Sequence, residues 1–134
     1  MLDCLILGDS IAFGTHQVKP ECVAIAKSGI NSENWNRTYG HRPELNLDWP
    51  IVVISLGSND HRGIHTRQEL ENLRSNLHGK NVFWILPAIK PQIQQIVKDI
   101  AAAHNDHVIP IRSVSPDQVH PTAQGYREIS NQIR

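Results

Sequence analysis

Five short, largely apolar runs recur along the chain, separated by longer segments in which apolar residues return every three or four positions. The runs cover residues 2–7, 22–26, 51–56, 81–86 and 108–111. They are continuous rather than alternating, which is typical of strands that are covered on both faces in a parallel sheet. The pattern therefore predicts a five-stranded parallel sheet with helices packed against it.

Helical periodicity occupies the segments between the strands. A capping box opens a helix over residues 66–77, and residues 89–100 form a longer amphipathic helix that accepts Pro91 in its first turn. Thr122 is expected to cap a last helix, and residues 31–39 form a more weakly patterned one. Alternation of strand and helix predicts a three-layer α/β/α sandwich with a flavodoxin-like sheet.

Composition narrows the class of protein. The chain has 134 residues, of which 40% are hydrophobic and 19% charged, which suits one compact domain spanning residues 1–134. Thirteen basic residues balance thirteen acidic ones, and no basic stripe of the kind that binds nucleic acid is present. No apolar stretch reaches membrane-spanning length. We therefore expect neither a nucleic-acid partner nor a membrane span.

The two cysteines bear on the cellular compartment. Cys4 and Cys22 fall in apolar runs that are expected to be neighbouring strands. A disulfide between them is geometrically allowed, but free buried thiols in a reducing compartment are the favoured interpretation. The first strand begins by Leu2, which leaves no room for a signal peptide. A cytoplasmic location, or a place within a larger assembly, is the resulting expectation.

Polar clusters follow four of the predicted strands. They are Gly-Asp-Ser at 8–10, Lys-Ser-Gly-Ile at 27–30, Gly-Ser-Asn-Asp at 57–60 and Asp-Gln-Val-His-Pro at 117–121. Because the carboxyl ends of parallel strands lie at one edge of a sheet, we expect these four loops to meet there. Together they offer a hydroxyl, an imidazole and a carboxylate, which is the minimum set for serine nucleophile chemistry.

These clusters, taken as a set, resemble the sequence blocks of the SGNH (GDSL-type) hydrolase family. Residues 8–11 look like the first block, with isoleucine in place of the commoner leucine, and Gly29 matches the glycine of the second block. Residues 57–60 are similar to the third block, and residues 117–121 match the last without a gap. The resemblance spans nearly the whole chain and implies an α/β/α ester hydrolase that needs no cofactor or metal.

Roles for the central residues follow from chemistry and from the resemblance. Ser10 is the expected nucleophile, His120 the base that takes its proton, and Asp117 the carboxylate that orients the imidazole. The resemblance further implies three donors for the developing oxyanion. These are the backbone N–H groups of Ser10 and Gly29 and the side-chain amide of Asn59.

Other polar and aromatic residues near these loops are secondary candidates. Asp9 either organises the serine turn or contacts substrate, and Asp60 is expected to brace the loop after the third strand. His61 and Trp35 are candidate substrate contacts. His61 and His65 have a ligand-like spacing of four, but a glycine lies between them, so no metal site is predicted.

The expected function is hydrolysis of a carboxylic ester through an acyl-serine intermediate. A chain of 134 residues leaves little material for a lid or a long acyl tunnel. That favours short acyl groups such as acetyl, on a small molecule or on carbohydrate. The alternatives are a thioesterase or lysophospholipase of the same family, and a non-catalytic binding domain that retains the fold.

Overall fold

The computed structural model describes residues 3–79 and 81–134, so the predicted start of the first strand at Leu2 lies outside the described residues. Strands and helices alternate along the chain. The strands are β1 Cys4–Gly8, β2 Val23–Ala26, β3 Ile51–Ser55, β4 Asn81–Ile85 and β5 His107–Ile109. The helices are α1 Ser10–Val18, α2 Ser32–Tyr39, α3 Thr66–Ser75, α4 Pro91–Ala103 and α5 Ala123–Gln132, with a 3₁₀ turn at Pro43–Asn46.

All five strands are parallel and lie in the order β2-β1-β3-β4-β5. This is the flavodoxin-like order, so the predicted sheet is confirmed. Gly8, the last residue of β1, is paired with Ala26 of β2 on one side and Ser55 of β3 on the other. The loops that follow these three strands therefore leave the sheet side by side at one edge.

Two apolar layers hold helices against the two faces of the sheet. One layer buries Trp35 of α2, Leu70 of α3 and Val97 of α4. The other buries Ile11 of α1 and Ile129 of α5. Helices α2, α3 and α4 thus cover one face and α1 and α5 the other, which confirms the three-layer α/β/α sandwich.

The helix ends agree with the sequence pattern in most places. The Thr122 hydroxyl accepts a hydrogen bond from the Gly125 N–H at 3.1 Å and caps α5, and Pro91 is the first residue of α4. Helix α1 lacked a specific sequence signal. It begins directly after Asp9, whose side chain caps it.

The predicted capping box at the start of α3 is wrong. His65 occupies the cap position, and Thr66 is already the first helical residue. The Thr66 hydroxyl donates a hydrogen bond of 2.7 Å to Asp60, and the Glu69 side chain accepts one of 2.8 Å from Asn36. Both side chains are therefore engaged by neighbouring elements rather than by their own helix.

The expectation of free thiols is also wrong, because Cys4 and Cys22 form a disulfide with their Cα atoms 4.7 Å apart. Leu5 and Val23, the residues that follow them, are paired across β1 and β2. The register therefore sets the two cysteines opposite each other, within disulfide reach. Their burial does not argue for a reducing compartment, and the interpretation that rested on it loses this support.

Removal of the disulfide is expected to destabilise the fold. The bond closes a loop between residues 18 positions apart, for which the chain-entropy model gives about 3 kcal/mol. We expect the double variant Cys4→Ala/Cys22→Ala to lose about 3 kcal/mol of unfolding free energy in urea titrations. Wild type unfolded in the presence of reductant is the matched control and should show the same loss. An unchanged unfolding midpoint in both samples would contradict the prediction.

Candidate active site

The turn that presents Ser10 packs against the neighbouring strand β3 and is hydrogen-bonded to it. Gly8 has a φ of +141°, and a Cβ atom built there would lie 1.9 Å from the Ser55 carbonyl oxygen, so only glycine fits. The Asp9 N–H donates to that same carbonyl at 3.0 Å. Ser10 follows as the first residue of α1. The hydroxyl is thus presented from the junction of a buried strand and a helix.

Asp9 lies wholly buried beneath this turn. Its Oδ1 atom accepts hydrogen bonds from the Ile11 N–H at 3.0 Å and the Ser55 hydroxyl at 3.1 Å, and its Oδ2 atom is buried without a partner among the described residues. Burial raises the pKa of Asp9 from 3.8 to about 6, against the lowering effect of these hydrogen bonds. The interpretation of Asp9 as a substrate contact is therefore wrong. Its bonds support the alternative, that it organises the serine turn.

The raised pKa of Asp9 predicts a pH-dependent stability. Because the pKa of this carboxyl group is higher in the folded state than in the unfolded state, the free energy of unfolding decreases as pH rises from 3.8 through about 6. The shift corresponds to about 3 kcal/mol. We expect the difference in unfolding free energy between wild type and Asp9→Asn to change by most of that amount between pH 4 and pH 7. Parallel pH profiles for the two proteins would contradict this.

The structure brings three of the predicted residues into one hydrogen-bonded chain. Ser10 Oγ lies 2.8 Å from His120 Nε2, across 110 positions of sequence, and His120 Nδ1 lies 2.7 Å from Asp117 Oδ2. A carboxylate only accepts hydrogen bonds, so the imidazole proton is assigned to Nδ1. The lone pair of Nε2 then faces the Ser10 hydroxyl. This arrangement allows the imidazole to take the hydroxyl proton as the oxygen attacks an electrophile.

Asp117 is held as an anion by its own loop. Its Oδ1 atom accepts hydrogen bonds from the backbone N–H groups of His120 and Val119, each at 2.9 Å, and from the Ser115 hydroxyl at 2.8 Å. These bonds, led by the one from His120, hold the pKa of Asp117 well below its usual range. The same Ser115 hydroxyl lies 2.9 Å from the His120 carbonyl oxygen. Ser115 thus fixes the loop, a role that the sequence motif did not indicate.

Gly29 and Asn59 belong to loops that contact each other. The Asn59 side-chain amide donates a 3.0 Å hydrogen bond to the carbonyl oxygen of Ile30, the residue after Gly29. Gly29 has a φ of +80°, and apart from its two chain neighbours no described residue has an atom within 4 Å of a Cβ built there. The positive φ therefore favours glycine at this position, and the space beside it is open.

The carboxylate of Asp60 joins three segments next to this loop. Its Oδ1 accepts from the Ser32 N–H at 2.8 Å, and its Oδ2 accepts from the Ser32 hydroxyl at 2.5 Å and the Thr66 hydroxyl at 2.7 Å. Ser32 begins α2 and Thr66 begins α3. Asp60 therefore braces the loop after β3, in agreement with its sequence-based interpretation.

Two secondary candidates have different positions. Trp35 is completely buried in the core, and its indole N–H donates to the Ile25 carbonyl oxygen at 3.1 Å, so its predicted stacking against substrate is wrong. His61 is exposed, and its Nδ1 atom accepts a 3.1 Å hydrogen bond from the Gly63 N–H. It lines a groove of about 480 Å³ that Lys90 also borders. A contact between His61 and substrate stays a prediction.

Residues 3–79 and 81–134 contain no group of three or more His, Cys, Asp or Glu side chains positioned to bind a metal ion. In the same residues, no helix combines the length and apolar character needed to cross a membrane.

The chain is thus an α/β/α sandwich in which a hydroxyl, an imidazole and a carboxylate form one hydrogen-bonded series, from Ser10 through His120 to Asp117. No family model and no curated protein sequence matches the chain. Solved structures do match it over nearly its whole length. A member of the lipolytic G-D-S-L family from Veillonella parvula is 18% identical, with a TM-score of 0.70, covering 98% of this chain and 95% of that one.

Two further structures extend the comparison. A GDSL-like lipase from Bacteroides thetaiotaomicron is 19% identical, with a TM-score of 0.69, covering 97% of this chain and 84% of that one. The C-terminal catalytic domain of Streptococcus pneumoniae peptidoglycan O-acetyltransferase A is 16% identical, with a TM-score of 0.60, covering 96% and 88%. The chain therefore has the SGNH (GDSL-type) hydrolase fold, and the resemblance read from its motifs is confirmed at the level of the fold.

Proposed function

We propose that this protein is a serine esterase that hydrolyses short-acyl carboxylic esters through an acyl-serine intermediate. The observation that carries this proposal is the hydrogen-bonded chain from Ser10 through His120 to Asp117, with contacts of 2.8 and 2.7 Å. These are the distances that a nucleophile, its base and the orienting carboxylate need.

Acylation begins when Ser10 Oγ bonds to the ester carbonyl carbon and its proton passes to His120 Nε2. The carbonyl π electrons move to oxygen and give a tetrahedral oxyanion, while Asp117 stabilises the imidazolium. Collapse of the intermediate breaks the bond to the alcohol oxygen, which leaves with the proton from His120. A water molecule then repeats the sequence on the acyl-serine, releasing the carboxylic acid and restoring the Ser10 hydroxyl.

Stabilisation of the oxyanion is assigned to the Ser10 and Gly29 N–H groups and the Asn59 side chain. The Ser10 N–H belongs to the first turn of α1, where backbone donors have no intrahelical partner. The Asn59 amide carries two hydrogens, and the Ile30 carbonyl oxygen accepts one of them. The other remains to donate to a substrate oxygen. Open space beside Gly29 supports substrate access at that loop.

The openness of the site supports a short acyl group on a bulky alcohol. The side chain of His120 is 43% exposed and that of Asp117 is 49% exposed, so a large alcohol such as a carbohydrate can approach. One protein that shares this fold is a peptidoglycan O-acetyltransferase, which supports acetyl as the group transferred to Ser10.

Hydrolysis of p-nitrophenyl esters graded from acetyl to octanoyl, together with an acetyl thioester, tests the proposal. We expect the acetyl ester to be hydrolysed best. A serine-directed phosphonate should form one covalent adduct per chain, located at Ser10 by mass spectrometry. A preference for octanoyl or for the thioester would indicate a lysophospholipase or a thioesterase instead. Absence of both turnover and adduct would leave a non-catalytic binding domain.

A further inference from the structure

We propose that Lys90 is a positioning residue that holds Asn59 in place by binding the backbone on both sides of it. This inference rests on the proposed esterase function, in which Asn59 donates to the oxyanion. Lys90 comes from the loop before α4 and has no counterpart among the sequence motifs.

The Lys90 ammonium group makes two hydrogen bonds to the loop after β3. Its Nζ atom donates to the Ser58 carbonyl oxygen at 2.8 Å and to the Asp60 carbonyl oxygen at 2.7 Å. These are the residues immediately before and after Asn59. Hydrogen bonds from a charged donor are shorter and stronger than neutral ones. The Ser58 carbonyl belongs to the peptide unit before Asn59, and the Asp60 carbonyl lies one peptide unit further on, so the two bonds hold the loop on both sides of Asn59.

The backbone of Lys90 indicates that its side chain is directed to this contact at a cost. Lys90 has a φ of 66° and a ψ of 80°, in the left-handed region that residues with a Cβ seldom adopt. Pro91 follows it and disfavours a helical conformation for the residue before. Such strain persists where the surroundings over-determine the conformation, and it is found at functional sites.

Lys90 holds a different side of the loop from Asp60. The Asp60 carboxylate accepts hydrogen bonds from Ser32 and Thr66, at the starts of α2 and α3. Lys90 lies at the start of α4 and donates to the main-chain carbonyl oxygens of Ser58 and Asp60. Without the ammonium group, both carbonyls lose a charged donor and the Asn59 amide is less well fixed. Because displacement of a group by about 1 Å can cost about 10²-fold in rate, even a partial loosening should lower kcat.

We call the two Lys90 hydrogen bonds to the Ser58 and Asp60 carbonyl oxygens the clamp. Replacement of Lys90 by cysteine, followed by alkylation, tests the clamp on one folded preparation. The two native cysteines are joined in the disulfide, so a thiol at position 90 is the single target. Alkylation with 2-bromoethylamine rebuilds an ammonium side chain, whereas alkylation with 1-bromopropane gives a neutral one of equal length. We expect kcat for p-nitrophenyl acetate to fall about tenfold in Lys90→Cys, in line with a partial displacement. KM should stay within about twofold, because the loop acts on the transition state.

Comparison of kcat between the two alkylated forms shows whether the ammonium group or the bulk of the side chain is needed. Aminoethylation should restore kcat to within about twofold of wild type, and propylation should not, because only the former supplies donors. Lys98→Cys, at an exposed position of α4, is the matched control and should be unaffected by either reagent. Unchanged kcat in Lys90→Cys, or equal restoration by the propyl group, would overturn the inference.

A readout that does not depend on turnover separates this inference from the esterase proposal. The side-chain amide resonances of Asn59 should shift in Lys90→Cys and return after aminoethylation. Absence of hydrolysis by wild type would refute the esterase proposal and leave this measurement valid. Amide resonances that are identical in all forms would refute the clamp alone.

Discussion

Ser10→Ala and His120→Ala should each lower kcat for p-nitrophenyl acetate by about 10⁴-fold or more, and the double variant should lose no more than either single one. The hydroxyl is a poor nucleophile until Nε2, 2.8 Å away, takes its proton, and the imidazole later passes that proton to the leaving alcohol. Loss of either partner therefore removes the same step. Steady-state kinetics of the three variants at one substrate concentration series measures both the size of the effect and its non-additivity.

Matched controls come from the surface of the same chain. Ser75→Ala and His78→Ala remove the same two chemical groups from exposed positions near the end of α3 and should keep full activity. The phosphonate adduct should be absent from Ser10→Ala and slow to form on His120→Ala. The prediction would be contradicted by a His120→Ala variant that keeps a tenth of the wild-type kcat, or by an adduct on Ser10→Ala.

The sheet could be predicted because its information is local. Each strand of a parallel sheet is apolar on both faces, so the five runs were visible without knowledge of their partners. The order of the strands followed from the fold class that the strand–helix alternation and the motifs indicated. The disulfide was not decided by the same information, because cysteines on paired strands are equally compatible with free thiols and with a bond.

Errors in the sequence interpretation fall where a distant side chain competes with a local pattern. Thr66 has the sequence context of a helix cap, but Asp60 takes its hydroxyl proton. Trp35 follows the Gly29 loop closely, but the rotation of α2 turns its ring into the core, where the Ile25 carbonyl oxygen accepts its N–H. Neither partner can be identified until the chain is folded.

The candidate site shows the same division. The motifs identified Ser10, His120 and Asp117, but their meeting depends on α1 packing beside α5, which brings together loops that follow β1 and β5. Lys90 has no motif at all. Its contribution depends on a left-handed backbone conformation and on main-chain carbonyl groups of another loop. Neither can be recognised from the residue types in the sequence.

Asn59→Ala should lower kcat by about 10²–10³-fold and leave KM nearly unchanged. The amide hydrogen that is not used by the Ile30 carbonyl oxygen has its effect only when charge develops on the substrate oxygen. Asn59→Asp should be more harmful than the alanine variant. It keeps the size of the side chain, removes both donors and sets a negative charge where the oxyanion forms. The measurement is kcat and KM for the acetyl ester with all three proteins.

A purely structural role for Asn59 predicts different kinetic results. Loss of its bond to Ile30 would loosen the Gly29 loop and raise KM, and Asn59→Asp would raise KM at least as much as Asn59→Ala, since its carboxylate cannot donate to that carbonyl oxygen and repels it. Asn72→Ala, at an exposed position of α3, controls for loss of an amide elsewhere. Equal kcat in the Ala and Asp variants with raised KM would therefore assign Asn59 to loop structure. A larger kcat loss in the Asp variant with KM unchanged assigns the Asn59 amide to the oxyanion, because the added negative charge then acts on the transition state and not on substrate binding.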